Sequence, residues 1–212
     1  MEKTKRFLLV IISVLLVIPV FNSCKKGAED PSFSIYSRKH RLCSDWGFSY
    51  YKRAEQHNDT TVTYEFDGAA GTYIQVAANK SIISAGTMNI SFHKDGTYIW
   101  DEYISNDTST YSYKEEGSWY FTGGGTDSDT HYKELLTLQQ NKITQTLQVG
   151  GITTTTNYLG TGNLQSTVFK IIKLASDAVK LKSVAQTENI YGTSGTSNLY
   201  ILSIEINLKN NL

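Results

Sequence analysis

Apolar and polar residues alternate with a period of two along most of the chain after residue 45. Strict alternation over several residues is typical of half-buried β-strands, and clusters of Gly, Asn and Asp mark the turns between them. The clearest case is YILSIEINL at 200–208, which places five apolar side chains on one face and Ser203, Glu205 and Asn207 on the other. Beyond the N-terminal signal at 1–23 we find no sustained helical period. The pattern therefore predicts an essentially all-β domain.

Turn signals join neighbouring predicted strands into hairpins. Asp95 and Gly96 separate MNISF from TYIWDEYI, and Gly tolerates the positive φ that such a turn requires. Ser176 and Asp177 separate VFKIIKL from AVKLKSVA, and Asn141 separates ELLTLQQ from KITQTLQV. About nine or ten strands, mostly joined in sequence, favour a meandering closed barrel because closure removes exposed sheet edges.

Three long segments carry no clear alternation, and we interpret them as connections: 67–86, 105–116 and 186–198. Connections of this length exceed what a minimal barrel needs. They are predicted to be loops at the barrel mouth or a surface for a partner.

The first 24 residues have the pattern of a secretory signal. Three basic residues precede the apolar run 7–21, which is shorter than the roughly 20 residues needed to span a bilayer. Ser23 then supplies the small residue of a cleavage site, and Cys24 follows it. The resulting FNSC resembles the lipobox of bacterial lipoproteins, in which the Cys becomes the lipidated first residue of the mature protein.

This resemblance divides the chain into a signal peptide at 1–23, a lipidated Cys24 with a tether at 24–39, and a barrel domain at 40–212. An ordinary signal peptide or an uncleaved anchor is the alternative interpretation. Several acyl chains hold a protein on a membrane far better than one. The expected location is therefore the outer membrane, on its periplasmic face or at the cell surface.

Composition excludes some partners and some classes of structure. The chain of 212 residues has 20 basic and 20 acidic side chains, so it has no basic footprint for phosphate backbones, and nucleic acid is not an expected partner. Its hydrophobic fraction of 40% is too high for wholesale disorder. Two cysteines cannot build a disulfide scaffold, and Cys43 is predicted to be a small buried hydrophobic residue.

Candidate chemistry is sparse. No nucleotide-binding, zinc-protease or serine-hydrolase motif occurs, so we predict no catalytic residue, no metal site, no cofactor and no enzyme activity. TDSDTH at 126–131 lacks the closing Glu of a calcium loop, and we interpret it as a solvated turn. The adjacent carboxylates Asp101 and Glu102, and likewise Glu115 and Glu116, could meet across a hairpin as glycosidases require. Adjacent strand residues face opposite sides, however, and we assign these pairs to the surface.

Four motifs occur in a recognisable order. They are an early Trp46, DGTY at 95–98, GSW at 117–119, and the late pair FKIIKLASDAVKLKS at 169–183. This order resembles the lipocalin-like domains of Gram-negative envelope lipoproteins, over residues 40–208. The resemblance implies a lipocalin-like, antiparallel up-and-down β-barrel of about eight to ten strands.

Aromatic side chains on the predicted inward faces form the candidate ligand site: Trp46, Tyr50, Tyr98, Trp100 and Trp119. A barrel of about eight strands can hold one small ligand or fill itself with side chains. Our leading hypothesis is a non-enzymatic, lipid-anchored envelope lipoprotein that binds a small apolar ligand. The alternative is a structural or interaction subunit of an envelope protein assembly, with a side-chain-filled barrel.

Overall fold

A computed structural model describes most of the domain, in seven ranges: 36–57, 60–78, 80–123, 135–159, 165–183, 186–191 and 197–210. The predicted signal peptide, Cys24 and the TDSDTH segment lie outside the described residues. Across the described ranges, no helix is both long and apolar enough to cross a membrane.

The described residues form one short helix followed by strands. The helix is α1 (Arg38–Leu42). The strands are β1 (Asp45–His57), β2 (Thr60–Asp67), β3 (Thr72–Ala77), β4 (Lys80–Phe92), β5 (Thr97–Ser105), β6 (Ser109–Thr122), β7 (Leu135–Val149), β8 (Ile152–Leu159), β9 (Ser166–Leu174), β10 (Ala178–Ser183), β11 (Gln186–Tyr191) and β12 (Ser197–Asn210). The all-β prediction is confirmed.

Ten strands close into an antiparallel barrel. Neighbours follow the order β1-β2-β3-β4-β5-β6-β7-β9-β10-β12, and β12 pairs with β1 to complete the ring. The remaining two strands extend the sheet, since β8 pairs with β7 and β11 pairs with β12. The nearly sequential order is an up-and-down topology, so the predicted barrel of eight to ten strands is confirmed.

The two ends of the barrel differ in strand number. At one end, which we call the narrow end, Asp45–Gly47 of β1 pair directly with Asn89–Ser91 of β4. Toward the other end, the wide end, β2 and β3 come between β1 and β4. Barrel diameter grows with the number of strands, so the ring widens where these two strands are inserted.

Apolar side chains fill the narrow end, and α1 packs against it. Trp46 is fully buried, and its indole Nε1 donates to the carbonyl of Leu42 at 2.8 Å. The buried Arg41 guanidinium donates to the carbonyl of Leu174 on β9. Cys43 is half-buried and packs against this core, and burial raises the pKa of its thiol. The helix therefore forms part of the wall that closes this end.

Two turn predictions have opposite outcomes. The turn at Ser176 and Asp177 joins β9 to β10 as predicted. The predicted turn at Asn141 is wrong, because β7 continues through it as a single strand. Register against β6 shifts at this point, so Asn141 is the extra residue of a β-bulge. A bulge and a turn use the same residue types, and only the partner strand distinguishes them.

The predicted long connections contain strands. Segment 67–86 includes all of β3 and the start of β4, 105–116 includes most of β6, and 186–198 includes β11. β8 was also not predicted, and every one of its side chains is exposed. A strand without a buried face has no reason to alternate, so periodicity cannot find it.

Candidate functional site

A cavity of about 570 Å³ occupies the wide end of the barrel. Its wall is built by side chains of β1 to β7, β9 and β12. It extends from Trp100 and Phe169 to Asn106 and Ser109, which flank the exposed turn between β5 and β6. Small-molecule pockets typically have volumes of about 300–1,000 Å³. The cavity is therefore of the size that holds one small organic ligand.

The cavity lining is amphipathic. Aliphatic side chains contribute Ile82, Ile104, Leu138, Leu147, Leu202 and Ile204. Phenol groups come from Tyr51, Tyr64, Tyr73, Tyr111 and Tyr113. The charged side chains are Arg53, Glu55, Glu102 and Glu115. The lining thus offers apolar surface, hydrogen-bond donors and negative charge together.

Trp100 forms the boundary between the filled core and the cavity. Its ring contacts Phe48, with centroids 4.9 Å apart, and meets the edge of Tyr51 at 5.8 Å. The side chain is 7% exposed. Its buried Nε1 makes no hydrogen bond of ordinary geometry to any described residue. This N–H is out of reach of a ligand and acts instead on the carboxyl of Glu102, whose pKa it lowers.

Glu115 is held by three donors. The hydroxyls of Tyr98 and Tyr113 donate to its two carboxylate oxygens, and Gln140 Nε2 donates at 2.8 Å. Gly117 makes the Tyr98 contact possible, because a Cβ there would lie 2.5 Å from the Tyr98 ring and 2.2 Å from the carbonyl oxygen of Gln139. The Glu115 carboxylate is therefore satisfied by the protein itself.

Glu102 has a different environment. Burial raises the pKa of this carboxyl to about 7, and the negative charge of Glu115 acts in the same direction. Trp100 and the positive charge of Arg53 partly offset this rise. The Trp100 N–H is thus close enough to lower the pKa, although the two groups do not form a hydrogen bond of ordinary geometry. Glu102 can therefore change its charge near neutral pH.

The other charged groups of the cavity form an ion pair. Arg53 and Glu55 lie two residues apart on β1, with Nη2 and Oε1 2.5 Å apart. The tyrosines stay neutral, because burial raises the pKa of Tyr111 to about 12 and raises the pKa of Tyr51 and Tyr73 as well. The cavity therefore gains a second negative charge, beside that of Glu115, when Glu102 ionises.

The structure separates the five predicted ligand residues. Trp100 lines the cavity. Trp46, Tyr98 and Trp119 are buried in the narrow-end core, where Trp119 Nε1 donates to the carbonyl of His93 at 3.1 Å. They support the cavity from below and are not part of its lining.

The predicted inward orientation of Tyr50 is wrong. Register between β1 and β12 shifts between Phe48 and Tyr50, which makes Ser49 the extra residue of a bulge. The next inward side chain after Phe48 is consequently Tyr51, which is 5% exposed. Tyr50 lies near Glu65 and Glu205, away from the cavity lining, and burial together with these carboxylates raises its pKa.

The assignment of the two acidic pairs to the surface is half wrong. Glu102 and Glu115 face the barrel interior, whereas Asp101 is exposed and Glu116 pairs with Lys142 at 3.2 Å. The signal was present in the sequence, since Glu102 is two residues after Trp100 and therefore shares its face. Tyr73, Tyr111 and Tyr113 were missed because they lie in the segments 67–86 and 105–116, which were interpreted as connections. Tyr64 lies in the alternating run TVTYEF at 61–66 but was not assigned to the site.

Comparison with known proteins adds no further assignment, since no family model, curated protein or solved structure matches the chain. Within the described ranges, no group of three or more His, Cys, Asp or Glu side chains is arranged to hold a metal ion. The site is accordingly defined by its own geometry, as the cavity of a closed antiparallel β-barrel.

The raised pKa of Glu102 predicts a pH-dependent stability. Its pKa is about 7 in the folded protein and 4.5 ordinarily, so between these values the folded state binds more protons than the unfolded state. This stabilising contribution is complete below about pH 4.5 and is lost as pH rises through 7. We expect wild-type protein to lose about 2 kcal/mol relative to Glu102→Gln between pH 5 and pH 8, measured by urea unfolding. If the free energy of unfolding changes equally with pH in the two proteins, this prediction is wrong.

Proposed function

We propose that this barrel is a non-enzymatic binding protein that takes one small amphipathic molecule into its wide-end cavity. The observation that carries the proposal is the cavity of about 570 Å³, closed below by a filled core and lined by both apolar and polar side chains. The surrounding strands supply a rigid wall, which limits the entropy lost on binding.

The lining favours an amphipathic ligand over the wholly apolar one expected from the sequence. A hydrocarbon in this cavity would remove water from Glu102 and from the tyrosine hydroxyls of the lining without replacing it by a hydrogen bond. Desolvating polar groups in this way costs free energy. A ligand with one polar end satisfies these groups and still buries its remainder against the aliphatic side chains.

A structural or interaction subunit remains the second candidate function, and β8 is the observation that favours it. β8 extends the sheet beyond the ring and exposes large apolar side chains, with Ile152 at 74% and Leu159 at 66% exposure. Exposed apolar strands at a sheet edge can pair with another chain. This function needs only the outer surface, so it is compatible with a ligand in the cavity.

Native mass spectrometry of the protein purified from its own cells tests the leading proposal. We expect a small molecule to accompany the wild-type protein and to be absent from Thr167→Trp, which places an indole in the cavity. Val168→Trp is the matched control, because Val168 is the next residue on β9 and is not part of the lining. Circular dichroism establishes that both variants fold. A wild-type protein of bare polypeptide mass, or equal occupancy in the two variants, would contradict the proposal.

We also propose that the barrel is tethered to the outer membrane by lipid on Cys24, as the lipobox resemblance implies. Cys24→Ala should move the protein from the membrane fraction to the soluble fraction and abolish fatty-acid labelling. Cys43→Ala is the control, since Cys43 packs against the barrel core and should not alter either property. If Cys24→Ala stays in the membrane, or if wild-type protein carries no fatty acid, the anchor proposal is wrong.

A further inference from the structure

We propose that the cavity ligand is an organic ammonium ion, with its cationic nitrogen at Glu102 and its apolar body against the aliphatic wall. This inference rests on the proposed function of the cavity and specifies the chemical class of its ligand. It follows from the distribution of charge in the lining, from the aromatic groups around Glu102, and from the action of the Trp100 N–H on the Glu102 carboxyl.

The four charged side chains of the cavity differ in their partners. Arg53 and Glu55 neutralise each other in a contact of 2.5 Å, and Glu115 accepts from Tyr98, Tyr113 and Gln140. Among the described residues, Glu102 has no ion pair at contact distance, and the donor that acts on it is the N–H of Trp100. Glu102 is therefore the cavity carboxylate that has accepting capacity left for a ligand. An ammonium group supplies both the donors and the opposite charge.

Aromatic side chains lie around Glu102. Tyr113 lies directly opposite it on β6, and the negative charge of Glu102 acts on the phenols of Tyr73 and Tyr111. Trp100 precedes it by two residues on the same face of β5. Aromatic rings attract a cation through their electron-rich faces, most strongly where the cation is desolvated. A carboxylate among several aromatic rings is the chemistry that selects an organic cation.

Trp100 Nε1 adds to the preference for a cation. This donor is buried and acts on the Glu102 carboxyl, whose pKa it lowers. A donor that lowers the pKa of a carboxyl stabilises its ionised form. The Trp100 N–H therefore favours the charged form of Glu102, which is the form that binds an ammonium group.

Calorimetric titration of the purified protein at pH 8.5 tests the ammonium class. The probes are octylammonium, octanoate and 1-octanol, which share one chain and differ in the head group, together with maltose as an uncharged polyol. We expect octylammonium to bind at least about tenfold more tightly than the other three, as hydrogen bonds to a charged partner exceed those to a neutral one.

Two variants test whether the charge of Glu102 causes the preference for octylammonium. Glu102→Gln keeps the size of the side chain but removes its charge, and it should weaken octylammonium binding about tenfold or more while leaving 1-octanol unchanged. Glu65→Gln is the matched control, because Glu65 is absent from the cavity lining and lies 3.9 Å from Lys52 in a solvent-exposed pair. Its affinity for octylammonium should equal that of the wild type.

The pH dependence of octylammonium binding by the wild-type protein is a second test. Octylammonium stays charged between pH 8.5 and pH 5.5, whereas Glu102 with its pKa of about 7 becomes neutral. Binding should therefore weaken as the pH falls, and the change should be absent in Glu102→Gln. The charged and titratable groups that act on Glu102 are Glu115, Arg53 and the tyrosines at 51, 73, 111 and 113, and the phenols remain neutral over this range.

The outcomes separate this inference from the proposed function. If octanoate, 1-octanol or maltose binds as tightly as octylammonium, the ammonium class is wrong, whereas ligand binding by the cavity stands. If no probe binds, the ammonium class is also wrong, and native mass spectrometry alone then decides whether the cavity carries a ligand. Tight octylammonium binding that Glu102→Gln and pH leave unchanged would place the cation elsewhere and overturn the proposal.

Discussion

Replacing Glu115 by alanine should lower the free energy of unfolding by about 3 kcal/mol or more. The carboxylate accepts hydrogen bonds from the hydroxyls of Tyr98 and Tyr113 and from Gln140 Nε2. Alanine leaves these three donors without their acceptor, and each buried donor without a partner costs about 1–3 kcal/mol. Water entering from the cavity can satisfy some of them, so the loss should approach the lower part of the summed range.

Glu116→Ala is the matched control for this prediction. Glu116 is the next residue on β6 but faces outward, where it pairs with Lys114 at 3.3 Å and Lys142 at 3.2 Å. Exposed pairs of this kind contribute about 0–1 kcal/mol. Urea unfolding of both variants at one pH gives the comparison. Equal losses for the two glutamates would show that the Glu115 network does not stabilise the barrel.

Trp46→Ala should cost about 3–5 kcal/mol, the range measured for large aromatic residues in protein cores. Trp46 is fully buried and also ties β1 to α1 through its hydrogen bond to Leu42. Its loss leaves a cavity at the narrow end and removes the docking point of the helix. Thermal or urea unfolding measures the effect.

The control for Trp46 is Tyr120→Ala. Tyr120 is an aromatic side chain on the barrel wall but is 46% exposed, so its removal leaves no internal cavity. Surface substitutions of this type usually change stability by about 0.5 kcal/mol or less. A Trp46→Ala protein that unfolds at the same urea concentration as Tyr120→Ala would mean that the narrow end is not the stabilising core.

The narrow end of the barrel could be predicted from the sequence, because its strands have one buried face. Burial forces alternation, and alternation placed Trp46, Trp100 and Trp119 inside correctly. The β4–β5 hairpin at Asp95 and Gly96 could be predicted because its turn is stabilised by nearby residues. Asp95 Oδ1 accepts from the backbone N–H of Thr97 at 2.9 Å.

The cavity was less predictable because it depends on partner strands. The bulge at Ser49 exchanges Tyr50 for Tyr51 on the inner face, and only the pairing of β1 with β12 imposes it. The insertion of β2 and β3 that widens the barrel is likewise a property of the closed ring. Glu102 was a different case, since its spacing from Trp100 indicated the inner face. It was assigned to the surface together with Asp101, because adjacent residues of a strand cannot both face inward.

We propose that the wide end of the barrel is a binding cavity, whereas the narrow end is a filled core. The chain has three tryptophans, and they are distributed over both regions. Trp46 and Trp119 donate to backbone carbonyls in the core, whereas Trp100 lines the cavity. An amide and indole ¹H–¹⁵N spectrum resolves the three indole N–H groups individually, after assignment by Trp→Phe substitution.

Titrating octylammonium into ¹⁵N-labelled protein, with 1-octanol in parallel, is the most direct measurement. We predict that the binding ligand moves the Trp100 N–H signal progressively and leaves those of Trp46 and Trp119 in place. A Trp100 signal that stays fixed while amides elsewhere shift, or three indole signals that shift together, would contradict the assignment of the wide end as the binding cavity.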